Sequence, residues 1–460
     1  MNSNKKKANR RLKSVGEDRI SELPDAIIIH ILSLLPSTKL CAKTCVLSKR
    51  WQHLWTYVPN ITLSQYDFPY NERKNIIKRV VNETLAFHSS SKLNNFSIKI
   101  SDLQELYPSI ESWLQLAVGR AVESLTLEFS GSSTCYLLPQ FLYSNSNIRS
   151  LTTKFCKFVP DERISWSALK ELSIRQSTLT DEDIQNILYG TPLLEDLQLN
   201  YCHGIKLLDL SLKPKLKNLV INVKEFYFEG CEFELKIVGP YVETLKLYWT
   251  RDNLRCKLMN MSSLVKATLD IEFTDDEDDE DGEDYYQEWF PNMLKELVEN
   301  VLSAEQLQLA NFCTLALSTL RMDVMASLSS NLKSLNVDCH GEEYLCGIER
   351  VLQCSPKLEK LDIFFDYGRS SKSKSNGYRK GYWTNAEIPS CLDSHLKTIE
   401  VSGLIRTRVV VEFLQFLLKN SRVLDKMIFR HYNNNYGLKL AEKWSSFPRS
   451  SQQAAFLAPK

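Results

Sequence analysis

Residues 194–199 read LEDLQL, and the spacing of their three leucines decides how the chain folds. Alternation over the last three residues puts Leu197 and Leu199 on one face of a short strand and leaves Asp196 and Gln198 on the other. A strand this short cannot bury an apolar face alone, so the chain must supply neighbours. It does: VESLTL (122–127), LKELSI (169–174), VETLKL (242–247), LKSLNV (332–337), LEKLDI (358–363) and LKTIEV (396–401) share the pattern. Looser copies are IRSLTT (148–153), LKNLVI (216–221), LVKATL (264–269), AEQLQL (304–309) and LDKMIF (424–429).

Nine of the eleven intervals between successive copies fall between 21 and 28 residues, the period of leucine-rich repeats. The other two, of 40 and 38 residues, hold DDEDDEDGED (275–284) and GRSSKSKSNGYRKG (368–381), which are too polar for a core and read as exposed insertions. The expected fold is α/β: stacked repeats forming a solenoid with a curved parallel sheet and helical or irregular connectors. In the connector LTDEDIQNILYGTP (179–192), Thr180 suits an N-cap and Ile184, Ile187 and Leu188 make one apolar stripe. The positions between the leucines project from the ladder's exposed face. Glu171, Ser173, Asp196, Gln198, Lys246, Asn336, Lys360 and Asp362 are the candidates there for binding a target protein. Their mixed sign does not fix the charge of that target.

Composition narrows the function classes. With 57 basic and 56 acidic residues in 460, the overall balance favours neither nucleic acid nor a membrane surface. The opening MNSNKKKANRRLK has no apolar run behind it, and the longest apolar candidate, residues 26–35, falls short of the roughly 20 residues that span a bilayer, so a soluble intracellular protein is expected. Twelve cysteines occur without a C-x-x-C pair, which points to reduced, buried thiols and no metal site. Phosphate-loop, dinucleotide, nucleophile-elbow and zinc-protease motifs are absent, so no cofactor and no catalysis is expected. Cys202–His203 and Cys339–His340 are adjacent pairs, and neighbours along a strand face opposite ways.

The amino-terminal stretch LPDAIIIHILSLLPSTKLCAKTCVLSKRWQHLW (23–55) reads as three short helices. Pro24 and Asp25 open the first and Pro36 stops it; Ser37 or Thr38 caps the second, and Ser48 the third. About 33 residues is too few to form an independent core, yet the stretch carries two tryptophans and many aliphatic residues. Some of that surface must be covered, by the end of the repeat array or by another protein.

Residues 18–64 resemble a plant-type F-box in the Leu-Pro start, the ILSLLP centre and the VLSKRWQHLW end. The resemblance implies binding to the Skp-type adaptor of a cullin-based ubiquitin ligase. It marks Leu23, Pro24, Ile28, Ile31, Leu32, Leu34, Pro36, Leu47, Ser48, Trp51 and Trp55 as adaptor-binding or module-core positions. From Trp383, IPSCL, HLKTI and FLLKNSRVLDKM are similar to the FBD region that follows leucine-rich repeats in plant F-box proteins. The expected layout is a disordered basic tail (1–17), F-box (18–64), linker and helical cap (65–120), repeats (121–382), FBD-like end (383–435) and carboxyl-terminal tail (436–460). The function this implies is a substrate-recognition subunit of a Skp-cullin-F-box ligase. The alternatives are an interaction scaffold without a degradation role and a nucleic-acid-associated protein using the tail Lys5, Lys6, Lys7, Arg10, Arg11 and Lys13.

Overall fold

The computed structural model describes residues 20, 22–69, 73–101, 106–131, 135–223, 233–250, 254–272, 289–365, 382–384, 386–403, 405, 407–430 and 434–458. The basic tail and both polar insertions lie outside these. The chain divides into two compact units, Met1–Thr134 and Cys135–Lys460.

The first unit begins with three short helices, α1 (Asp25–Ser33), α2 (Thr38–Lys43) and α3 (Trp51–Leu54). Pro24 stands one place ahead of α1 as its N-cap, and its carbonyl accepts from Ile27 and Ile28. Ser37, not Thr38, caps α2 by accepting from the Leu40 amide at 3.4 Å. Thr38 instead accepts from the Thr62 amide at 2.8 Å and ties α2 to the nearby strand that holds Thr62. Ser48 does not cap α3. The N-cap is Arg50, whose side chain is drawn to Asp25, and Ser48 offers only its backbone carbonyl to Trp51.

Three parallel strands come next: β1 (Asn60–Ser64), β2 (Asn95–Ser101) and β3 (Ser124–Ser130). Helix α4 (Arg73–Phe87) connects the first two and α5 (Tyr107–Gly119) the last two. Strand pairing therefore begins inside the expected F-box range and runs through the expected linker. Its basis lies in the residues: VPNITL (58–63) and LNNFSI (93–98) are copies of the repeat with valine, isoleucine and phenylalanine in leucine positions, and all six apolar side chains are buried.

In the second unit twelve strands form one parallel sheet: β4 (Ser150–Lys154), β5 (Glu171–Arg175), β6 (Asp196–Asn200), β7 (Asn218–Asn222), β8 (Thr244–Thr250), β9 (Lys266–Glu272), β10 (Gln306–Asn311), β11 (Ser334–Cys339), β12 (Lys360–Phe365), β13 (Thr398–Gly403), β14 (Lys426–Arg430) and β15 (Ala455–Leu457). Neighbouring strands pair in equal register, which lines up the leucines. Leu172, Leu197, Leu219 and Leu245 form one column and Ile174, Leu199, Ile221 and Leu247 the next, all buried. The first position of each motif is buried as well, from Leu169 to Leu424.

Connectors differ along this unit. Early ones include short strands that pair among themselves, such as Leu207–Asp209, Phe233–Val238 and Leu254–Met259. Later ones are helical, as in Tyr344–Cys354 and Arg408–Asn420. In the connector helix Asp181–Tyr189, Thr180 is the N-cap and completes a capping box with Asp183. At the end of β13, Gly403 has φ +84°, and a Cβ there would collide with the Phe365 carbonyl oxygen.

The described part of the expected carboxyl-terminal tail, residues 436–458, is folded. Helix Asn434–Ser445 buries Trp444 against Phe429 and Phe447, with ring centroids 5.9 and 4.9 Å away, and β15 pairs with β14. The physical reason is that the last repeat presents an apolar end which must be covered.

Candidate interaction surfaces

Ile28, Leu32, Cys41, Trp51, Leu54 and Val58 form the core of the amino-terminal helical module, with Leu23, Ile29 and Trp55 packed partly against it. Arg50 fastens the openings of α1 and α3 together through Asp25 and the Leu23 carbonyl. His88, just past the end of α4, ties the module to the end of α5: its Nε2 lies 2.7 Å from the Val58 carbonyl, while Arg120 Nη1 reaches its Nδ1 at 3.2 Å. A carbonyl only accepts, so Nε2 carries the proton and Nδ1 accepts from the guanidinium. Burial, the largest influence, lowers the His88 pKa below the ordinary histidine value.

With that core filled, a second apolar set is left outside. Leu34 is 71% exposed, Val46 82% and Leu47 64%, and Ile27 and Ile31 are also exposed. The eleven positions marked by the F-box resemblance therefore divide. Ile28, Leu32 and Trp51 are interior; Leu23 and Trp55 are half-buried; Pro24, Ile31, Leu34, Pro36, Leu47 and Ser48 face solvent. Val46 and Ile27 belong to the exposed set although no motif position singled them out. Beside Val46 a largely apolar cavity of about 590 Å³ runs between α2, β1 and α4, lined by Thr38, Ala42, Leu63, Phe68 and Val80.

The second surface is the polar face of the second unit's sheet. The register sorts its candidates into rows. Glu171 and Asp196 are neighbours in the first, and Lys360 belongs to the same motif position. Ser173 and Gln198 are neighbours in the middle row, which also carries Lys246, with Asn336 and Asp362 paired farther along; Ser173, expected on the exposed face, is buried. Burial and the charges of Glu171 and Glu195 raise the Asp196 pKa, and Asn218 opposes the shift by hydrogen bonding to it. Asn336 donates to Asp362 at 3.3 Å, and Lys360 lies within 3.5 Å of both Asp362 and Glu400. A third row, Lys154, Arg175, Asn200, Asn222 and Tyr248, lies one step beyond the six-residue motif and for that reason escapes a motif-based choice.

Most of the described thiols sit inside; Cys135 is exposed and Cys45 and Cys346 are half-buried. Cys202 donates to the Ile174 carbonyl and burial pushes its pKa up to about 12, so it carries no thiolate beside His203. Cys339 is raised for the same reason. Among the described residues no group of three or more histidine, cysteine or acidic side chains is arranged to hold a metal ion, and no helix is long and apolar enough to cross a membrane.

Residues 84–454 match the family described as At1g61320/AtMIF1, LRR domain. The chain is 32% identical over 448 residues to the F-box/LRR-repeat protein At3g03360 of Arabidopsis thaliana, covering 91% of this chain and 85% of the relative. To the F-box/LRR-repeat protein At5g02910 of the same plant it is 30% identical over 431 residues, 90% of this chain and 88% of the relative. F-box/LRR-repeat protein 25, also from Arabidopsis thaliana, is 33% identical over 232 residues, 50% of this chain and 86% of the relative.

Proposed function

The chain belongs to the plant F-box/LRR-repeat proteins, and on that footing we propose that it is a non-catalytic substrate-recognition subunit of a Skp-cullin-F-box ubiquitin ligase. The observation that carries the reading is the division of the helical module: a filled core around Ile28, Leu32 and Trp51, and a separate exposed set at Ile27, Ile31, Leu34, Val46 and Leu47. A self-contained head would have no use for the second set. Against a partner it becomes the apolar centre of an interface, each square ångström removed from water contributing about 25 cal/mol. The partner proposed is the Skp-type adaptor, and through it a cullin.

The repeat ladder then holds the target, and Glu171, Ser173, Asp196, Gln198, Lys246, Asn336, Lys360 and Asp362 are its proposed contact positions. Transfer of ubiquitin falls to other subunits. Holding a target lysine near the transfer site raises its local concentration, and this proximity effect needs no reactive side chain or cofactor here. Residues 383–435 are proposed as an FBD-like end; buried Trp383, with centroids 4.7 and 5.6 Å from Phe413 and Phe416, is consistent with a packed terminal region. The proposed place of action is the nucleus, the cytoplasm or both.

Co-purification with the adaptor tests the first half. Wild type should retain it and Leu34→Asp should lose it while keeping its thermal transition; equal retention would remove the interface. Half-lives of bound targets, with and without the chain, test the second half, since a scaffold without a degradation role leaves them unchanged.

A further inference from the structure

Where β4, β5 and β6 end, the chain leaves the sheet three times in the same manner. Phe155, Gln176 and Tyr201 each follow the last strand residue with φ of +55°, +50° and +56°. Each amide donates to the next strand's closing carbonyl: Phe155 to Arg175 at 3.1 Å, Gln176 to Asn200 at 2.8 Å and Tyr201 to Asn222 at 2.5 Å. The left-handed conformation is unusual for bulky side chains, and three in a row form a fixed corner of two aromatics flanking an amide.

Lys154 and Arg175 are register neighbours in front of that corner, on paired strands about 4.8 Å apart. Elsewhere on this sheet Lys170, Lys217, Lys333 and Lys397 each meet a carboxylate within 3.3 Å. Lys154 and Arg175 meet none among the described residues; Lys154 only lies over the Phe155 ring, 5.9 Å from its centroid. Two polar atoms at the corner are also shut off from water without a partner: Arg175 Nε and Gln176 Oε1. A donor and an acceptor on consecutive residues, both desolvated and both unmet, mark an incomplete hydrogen-bonding set.

We propose that this corner is a docking site for an acidic segment of a partner protein, Lys154 and Arg175 receiving its carboxylates and Phe155 and Tyr201 packing against an adjoining apolar or aromatic side chain. Arg175 offers a planar donor fork suited to a carboxylate. Gln176 and Asn200 carry donor and acceptor groups able to meet a peptide backbone, and the chain's balance of 57 basic against 56 acidic residues favours a protein segment over a nucleic acid. The proposal rests on the reading that the ladder's polar face takes the target, and it gives that target a charge and a place.

The test uses the full chain and a fluorescent synthetic peptide of alternating glutamate and tyrosine, with a lysine–tyrosine peptide and an oligothymidylate as competitors. Wild type should bind the acidic peptide. Arg175→Gln and Lys154→Gln should each weaken binding about tenfold or more, and Lys357→Gln, which removes a distant surface charge, should not. Adaptor capture and thermal unfolding are measured on the same preparations. If Arg175→Gln alone disturbs folding, Lys154→Gln decides. No binding by wild type, equal binding by both variants, or displacement of the peptide by oligothymidylate would overturn the corner while leaving the adaptor reading intact. Failure of wild type to capture the adaptor would sink the ligase reading and leave the corner's measured selectivity standing.

Discussion

Lys217 and Glu243, one repeat apart, form an ion pair of 2.7 Å, and the same motif position reads alternately basic and acidic along much of the sheet. Lys170 pairs with Glu195, Lys333 with Glu305 and Lys397 with Glu359. The backbones at these positions are joined too: the Lys217 amide donates to Glu195 and the Glu243 amide to Lys217, both at 2.9 Å. Opposite charges thus lie opposite each other only when the repeats stack in the observed register.

The pairs are partly exposed, so each contributes little alone. Glu243→Lys should destabilise the second unit by about 0.5–1 kcal/mol, and adding Lys217→Glu should restore part of the loss. Chemical denaturation of the two single variants and the double variant measures this coupling; strictly additive effects would show that the pair is idle.

Acid should loosen the first unit through His88. Its folded pKa lies below the unfolded value of 6.5, so the unfolded chain takes up the proton first as pH falls. The stabilisation is whole above about pH 6.5 and is lost as pH falls from there through the folded pKa. Protonated Nδ1 would also face Arg120 with no lone pair to offer. Unfolding monitored between neutral pH and about pH 5 should show this loss in wild type and a flatter profile in His88→Gln, which keeps a donor toward Val58.

Gly403→Ala should destabilise the second unit by more than about 1 kcal/mol, since the residue sits at positive φ and its new methyl meets the Phe365 carbonyl. A thermal midpoint equal to wild type would mean that β12 and β13 shift apart at no expense.

The repeat period is legible in the sequence because a leucine column tolerates few substitutes, and each copy from LKELSI to LKTIEV lies on a strand whose leucine positions are buried. The first two strands escape the pattern where Val58, Ile61 and Phe96 fill those places, although burial asks only for a suitable apolar shape. The closing helix and strand escape it because Trp444 carries out by bulk what a repeat carries out by pattern. In the helical module the sequence names the apolar residues without dividing them: Ile28 and Ile31 look alike in a string, and only the packing of α1 on α3 sends one inward and the other out. The corner at Lys154 and Arg175 is hidden for a similar reason, since register across strands brings together residues 21 positions apart.

The exposed apolar set of the helical module is the proposed seat of the adaptor, and titration calorimetry of purified Skp-type adaptor against the full chain tests it most directly. Leu34→Asp and Leu47→Asp should each weaken binding by at least about tenfold, or 1.4 kcal/mol, with folding unchanged, because both side chains already stand in water. Wild-type affinity in both variants would contradict the claim that these side chains are the adaptor's seat.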